Sequence, residues 1–86
     1  MTLSIVQEYK GSLAGMLKVI IYKIVDSDGS GGTLQAAVNH ISWANAIDIT
    51  DGDYVTAAWT NDSETITLGG SGTGHIVRVI VVGWGG

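Results

Sequence analysis

The sequence predicts an all-β domain, a small antiparallel β-sandwich or barrel-like fold of about six strands filling residues 1–86. Three observations lead there. Val, Ile and Thr dominate the short runs, the residues that suit a pleated, half-buried surface. Clusters of Gly, Asn, Asp and Ser break those runs roughly every 8–12 residues, the spacing of small sandwiches. At 86 residues the chain has material for one domain, and no internal repeat divides it.

Residues 2–9 alternate loosely and predict the first strand, ending near Lys10 and Gly11. The second runs from residue 13 or 15 to 25. Residues 26–32 (Asp-Ser-Asp-Gly-Ser-Gly-Gly) form a polar loop with the φ-permissive residues tight turns require. Residues 33–50 are ambiguous: Leu34, Val38 and Ile41 fit a helical stripe, whereas 40–43 and 47–50 alternate like strands. The favoured reading is a short strand or irregular stretch, then a strand at 46–50. Turns at 51–53 and 61–63 bracket a strand at 54–60, and 64–68 alternates polar with apolar. Residues 69–74 are a Gly-rich link, and 75–83 is the last and most apolar strand.

Composition excludes several functions. Apolar residues make up 45% and charged residues 14%, against about 25% charged in an average domain. Without cysteine there is no disulfide framework and no thiolate metal site. High apolar content with a net charge of only −4 argues against disorder. The longest apolar run, 16–25, is interrupted by Lys18 and Lys23 and falls short of the ~20 residues a spanning helix needs, so no membrane partner is expected. No basic segment precedes a long apolar stretch at the N-terminus, so no secretory signal is expected. Residues 1–25 carry +2 and residues 26–86 carry −6, giving the chain's −4. An acidic chain without a basic cluster suits no nucleic acid.

The informative feature is that two strands are apolar on both faces. Successive side chains of a strand point to opposite sides. In the second strand one parity gives Leu17, Val19, Ile21, Lys23 and Val25, the other Met16, Lys18, Ile20, Tyr22 and Ile24. In the last strand the parities are Ile76, Arg78, Ile80, Val82 and Trp84, against Val77, Val79, Val81 and Gly83. A monomeric antiparallel sandwich normally wets one face. An 86-residue domain buries only about 60–65% of its unfolded surface and has little material for another layer. Either residues 33–50 cover the outer face or another chain does; obligate assembly is the expectation. The predicted interface comprises Ile20, Tyr22, Ile24, Arg78, Ile80, Val82 and Trp84, with Arg78 paired to an acid or carbonyl because an unpaired buried charge is costly.

Sites for chemistry are weak. Residues 26–32 resemble a calcium loop in their first positions, but Ala37 stands where a bidentate Glu is needed. Asp48, Asp51 and Asp53 crowd a Gly turn and read as a solvated turn, with an adventitious cation as the alternative. Gly69–Gly74 lacks the Lys-Ser/Thr of a phosphate loop and leads into a strand. His40 and His75 with Ser12, Ser42 or Ser71 lack any nucleophile-elbow signature. No catalytic residue, metal or cofactor is predicted. Trp43, Trp59 and Trp84 with Tyr9, Tyr22 and Tyr54 suit core or interface anchors. A sugar-stacking platform, with Asn61 and Asp62 beside Trp59, is the alternative.

Three segments, Lys18-Val-Ile-Ile-Tyr-Lys23, Asn61-Asp-Ser-Glu-Thr-Ile-Thr-Leu68 and Val77-Arg-Val-Ile-Val-Val-Gly-Trp84, give the chain its likeness to known proteins. It resembles the small cysteine-free β-proteins of tailed-bacteriophage virions, especially capsid decoration or minor head proteins. The resemblance implies a non-enzymatic structural protein added in many copies to a particle. Its partners would be copies of itself and/or a major capsid protein, and its place the virion, assembled in the host cytoplasm. A tail or head-fibre component and a small glycan-binding module are the alternatives.

Overall fold

The computed structural model describes residues 3–15, 17–27, 29–60 and 64–85. The described chain is all-β, two antiparallel sheets packed face to face. Strands β1 (Leu3–Ala14), β2 (Leu17–Asp26), β4 (His40–Asp48), β5 (Asp53–Val55) and β8 (His75–Trp84) form a five-stranded sheet ordered β1-β2-β8-β4-β5. Strands β3 (Gly32–Gln35), β6 (Ala57–Ala58) and β7 (Thr65–Leu68) form the second sheet, ordered β3-β7-β6. Eight strands replace the expected six or so, because 54–60 splits into β5 and β6, which change sheets at Thr56, and 33–50 supplies two strands.

Register decides which side chains share a face. Tyr22 lies opposite Val79, which lies opposite Ala46, and Ala46 opposite Val55. Rows through Ile24 and Val77, and through Ile20, Val81 and Ala44, run beside it. All point toward the small sheet, whose Leu34, Ile66 and Leu68 meet them, and Ile20, Val79, Val81 and Ile66 are fully enclosed. Burial of that area drives the fold. The Tyr22 hydroxyl inside this core accepts a hydrogen bond from Ala37 N–H at 2.9 Å, so its polar end is satisfied.

Residues 33–50 hold two strands and no helix: β3 ends at Gln35 and β4 runs from His40 to Asp48. Their alternation is obscured by a bulge: Ile41 opposes Gly83 and Trp43 opposes Val82, leaving Ser42 as the extra residue. Ile41, Ala44 and Ala46 therefore point inward although their spacing is irregular. The strand begins at His40, earlier than the expected residue 46. Gly83, where β8 passes this bulge, has no room for a Cβ, which would stand 2.4 Å from the His40 carbonyl oxygen. The segment does not cover the outer face of the large sheet: β3 joins the small sheet, and β4 joins the large one.

Candidate functional site

The side of the five-stranded sheet turned away from the small sheet is the largest feature without a covering layer among the described residues. Its rows follow from the register. Val6, Lys23, Arg78, Ile47 and Tyr54 make one row. Tyr9, Ile21, Ile80 and Asn45 make the next, then Val19, Val82 and Trp43. Val25 and Ile76 close one end, and Leu17 and Trp84 the other. Along β2 and β8 every one of these residues is half-buried up to Trp84, shielded only by its neighbours on the same face. Trp43 and Trp84 are each 47% exposed and Tyr54 79%. Exposed apolar patches of several hundred Å² on a monomer mark interaction sites.

The expected interface is thereby divided. Arg78, Ile80, Val82 and Trp84 lie on the open face. Ile20, Tyr22 and Ile24 do not: they are 0%, 4% and 1% exposed, between the sheets. Antiparallel register sets Lys23, not Tyr22 or Ile24, opposite Arg78, so the parities of the two strands were matched the wrong way. Val19, Ile21 and Val25 stand on the open face in their place. Trp43, Ile47 and Tyr54 also belong there; the Trp and Tyr were visible in the sequence as aromatics, but β4 and β5 had first to be placed beside β8.

The expected partner of Arg78 is Glu8. Arg78 Nε reaches across β2 to Glu8 Oε1 at 3.2 Å. A bulge puts Glu8 there: Gln7 opposes Tyr22 and Tyr9 opposes Ile21, leaving Glu8 as the extra residue. With both groups more than a third exposed, the pair contributes little stability.

Several of the other sequence candidates gather at one end of the sandwich, where loops 26–32, 49–52 and 69–74 meet. Asp26, 2% exposed, accepts hydrogen bonds from Gly29 N–H at 3.0 Å, Gly31 N–H at 2.8 Å and Ser71 Oγ at 3.4 Å. A calcium loop would need that carboxylate free; here it fastens two loops. The space beneath is about 10 Å³, room for one water at most. Asp28, the second candidate oxygen, lies outside the described residues, as do Asn61 and Asp62.

Asp48 is joined by His75 rather than by Asp53. His75 Nδ1 lies 2.7 Å from Asp48 Oδ2 and 3.6 Å from Asp51 Oδ2. Asp48 Oδ1 accepts from Thr50 N–H at 2.9 Å and Asp51 N–H at 3.3 Å. The hydrogen bond to His75 is the main reason that Asp48 titrates below its usual range, aided by the two backbone N–H groups and opposed by burial. The same hydrogen bond raises His75, with burial opposing and both carboxylates adding attraction. Three metal-capable groups thus stand close together, but the buried carboxylate is already spent on the turn and the imidazole. The arrangement is a turn clasp.

His40, on β4, lies opposite Trp84 at the end of ten-residue β8, whereas His75 is the first residue of that strand, about 30 Å away. Ser71 is bonded to Asp26 and Ser12 accepts from Lys18 Nζ at 3.1 Å. These serines and histidines assemble no triad. Trp59 packs on the core from the small sheet beside Thr60, Thr65 and Thr67, away from Trp43 and Trp84. Among the described residues no helix is long and apolar enough to cross a membrane. Comparison with protein-family models, curated proteins and solved structures finds no match.

Proposed function

We propose that this chain is a non-enzymatic structural subunit of a virion, of the capsid decoration or minor capsid type, that docks the open face of its five-stranded sheet on a neighbouring chain. The observation that carries the assembly reading is the pair of rows through Ile21–Ile80 and Val19–Val82, apolar side chains at the centre of a sheet face with no layer over them. Size supports it. The five strands carry 12, 10, 10, 9 and 3 residues, which at about 3.3 Å rise and 4.8 Å spacing give a face of roughly 700 Å². A standard stable interface takes about 800 Å² from each partner. Exposed aromatics at its rim are the anchors such contacts use, and the face carries two cations, Arg78 paired with Glu8 and Lys23 opposite it. The virion is the setting that the sequence resemblance supplies.

Sedimentation of the purified chain tests this reading. A defined oligomer or lattice at micromolar concentration is expected, and a monomer over the whole range overturns it. One observation favours a second reading. Trp43 and Trp84 are diagonal neighbours on the open face and both half-exposed, as a glycan-stacking platform requires. A monomer whose Trp fluorescence saturates on titration with oligosaccharides would select that reading.

A further inference from the structure

We infer that the free edge of β1 is a second contact surface, through which two copies of this chain pair antiparallel and fuse their five-stranded sheets into one. This rests on the backbone edge of β1, although its outer residues Val6 and Tyr9 also border the open face. β1 is the only long edge among the described strands: it has 12 residues, whereas β5, at the other side, has three and carries Asp53. The edges of the small sheet, β3 and β6, have four and two. A long edge presents a row of unpaired N–H and C=O groups that template another strand.

The described apolar side chains of β1 are uncovered on both sides, and Lys10 reaches toward the small sheet's side, donating from Nζ to the Ala37 carbonyl at 3.4 Å. Ile5, on the inner side, is 42% exposed, and Val6 and Tyr9, on the outer side, are 56% and 54%. Proteins guard such edges with Pro or several Lys. This strand has no Pro and one Lys, Lys10. Its remaining guards are two register shifts, the bulge at Glu8 and another between Ser12 and Ala14.

That bulge fixes the register. Before it the outer residues are even, Val6 and Glu8; after it they are odd, Tyr9 and Gly11. Residues opposed across an antiparallel pair share a face. Only a two-fold axis between Glu8 and Tyr9 keeps every outer side chain of residues 5–12 opposite an outer one. Val6 then opposes Gly11, Gln7 opposes Lys10 and Ile5 opposes Ser12. The two Glu8 bulges meet at the axis, leaving regular ladder over residues 5–7 and 10–12, short of the second register shift between Ser12 and Ala14. The axis stands perpendicular to the sheet, so both open faces look the same way, and the pair offers a partner two binding faces at once.

The chain has no native thiol, so cysteine pairs read the register directly. Gln7→Cys and Lys10→Cys proteins are mixed and oxidised. Opposed positions bring Cα atoms within disulfide reach, while position 7 lies about 10 Å along the strand from its own copy, beyond reach. The expected result is a covalent heterodimer from the mixture and none from either variant alone. Ile5→Cys with Ser12→Cys gives a second, independent reading. Equal cross-linking of single variants, or no cross-link in either mixture while circular dichroism shows folded protein, overturns the proposal. Repeating the experiment with Ile80→Asp in both chains removes the open-face contact. Cross-linking should persist there, and its loss would show that the edge does not pair on its own.

Discussion

Val79 and Ile80 are adjacent on β8 and point to opposite sides of the same sheet, so one substitution made at each separates core from open face. Val79 is fully enclosed, between Tyr22 and Ala46 in its row. Val79→Asp forfeits about 1.5–3 kcal/mol of side-chain burial and sets a carboxyl group among apolar neighbours without a hydrogen-bond partner, about 2–7 kcal/mol more. The combined loss of roughly 4–10 kcal/mol matches the whole stability of an 86-residue domain, about 4–13 kcal/mol at the usual amount per residue. Ile80 is half-buried, so Ile80→Asp costs about 1 kcal/mol, and its carboxylate lands two residues from Arg78 on the same face. Urea and thermal unfolding followed by circular dichroism measure both. Val79→Asp should be unfolded in buffer, and Ile80→Asp should melt cooperatively within about 4–8 °C of the parent. Equal damage from the two would mean that Ile80 is core and that the open face has been misassigned.

The His75–Asp48 clasp gives a pH dependence of definite sign. His75 is raised above its ordinary 6.5, so its contribution is complete below pH 6.5 and is lost as pH climbs through the raised value. Asp48 is lowered below its ordinary 3.8, so its contribution is present above pH 3.8 and is lost as pH falls through the lowered value. Melting temperature should therefore peak between about pH 4 and 6.5 and decline above it, and His75→Gln should flatten the alkaline decline; an unchanged profile in that variant would refute the clasp. Glycine replacements should divide by location. Gly52 and Gly31 both have positive φ, +82° and +83°, but a Cβ on Gly52 meets nothing within 4 Å, whereas one on Gly31 would stand 2.3 Å from the Leu68 carbonyl oxygen. Gly52→Ala should cost about 1–2 kcal/mol in urea unfolding, and Gly31→Ala clearly more, because the Asp26 loop must shift; equal costs would contradict the loop packing.

The sandwich was legible because Val, Ile and Thr runs and Gly-Asp turns are local signals, and β2 and β8 were legible as doubly apolar because parity within one strand is local too. What parity cannot say is which face of a neighbour it joins. Ile20, Tyr22 and Ile24 were grouped with Arg78 for that reason, and only the pairing of Lys23 with Arg78 separates them. The bulge at Ser42 shifts the alternation of β4 by one, which hid the start of that strand inside an apparent helical stripe, and the bulge at Glu8 does the same to the alternation of β1. The His75–Asp48 contact joins residues 27 apart in the chain, and the Arg78–Glu8 contact residues 70 apart. The sequence predicts an acid or carbonyl beside Arg78 and names no partner for His75, and only the strand order β1-β2-β8-β4-β5 supplies both.

The central claim, that chains meet on the open face, is tested most directly by iodide quenching of Trp43 and Trp84 across a dilution series, with Trp59→Phe removing the third indole. Sedimentation on the same samples gives the oligomeric state. The two tryptophans are half-exposed in the lone chain, so quenching should be strong when dilute and should fall as the associated species forms. Indoles equally open to iodide in the lone chain and in the assembly would contradict the claim, whatever the size of that assembly.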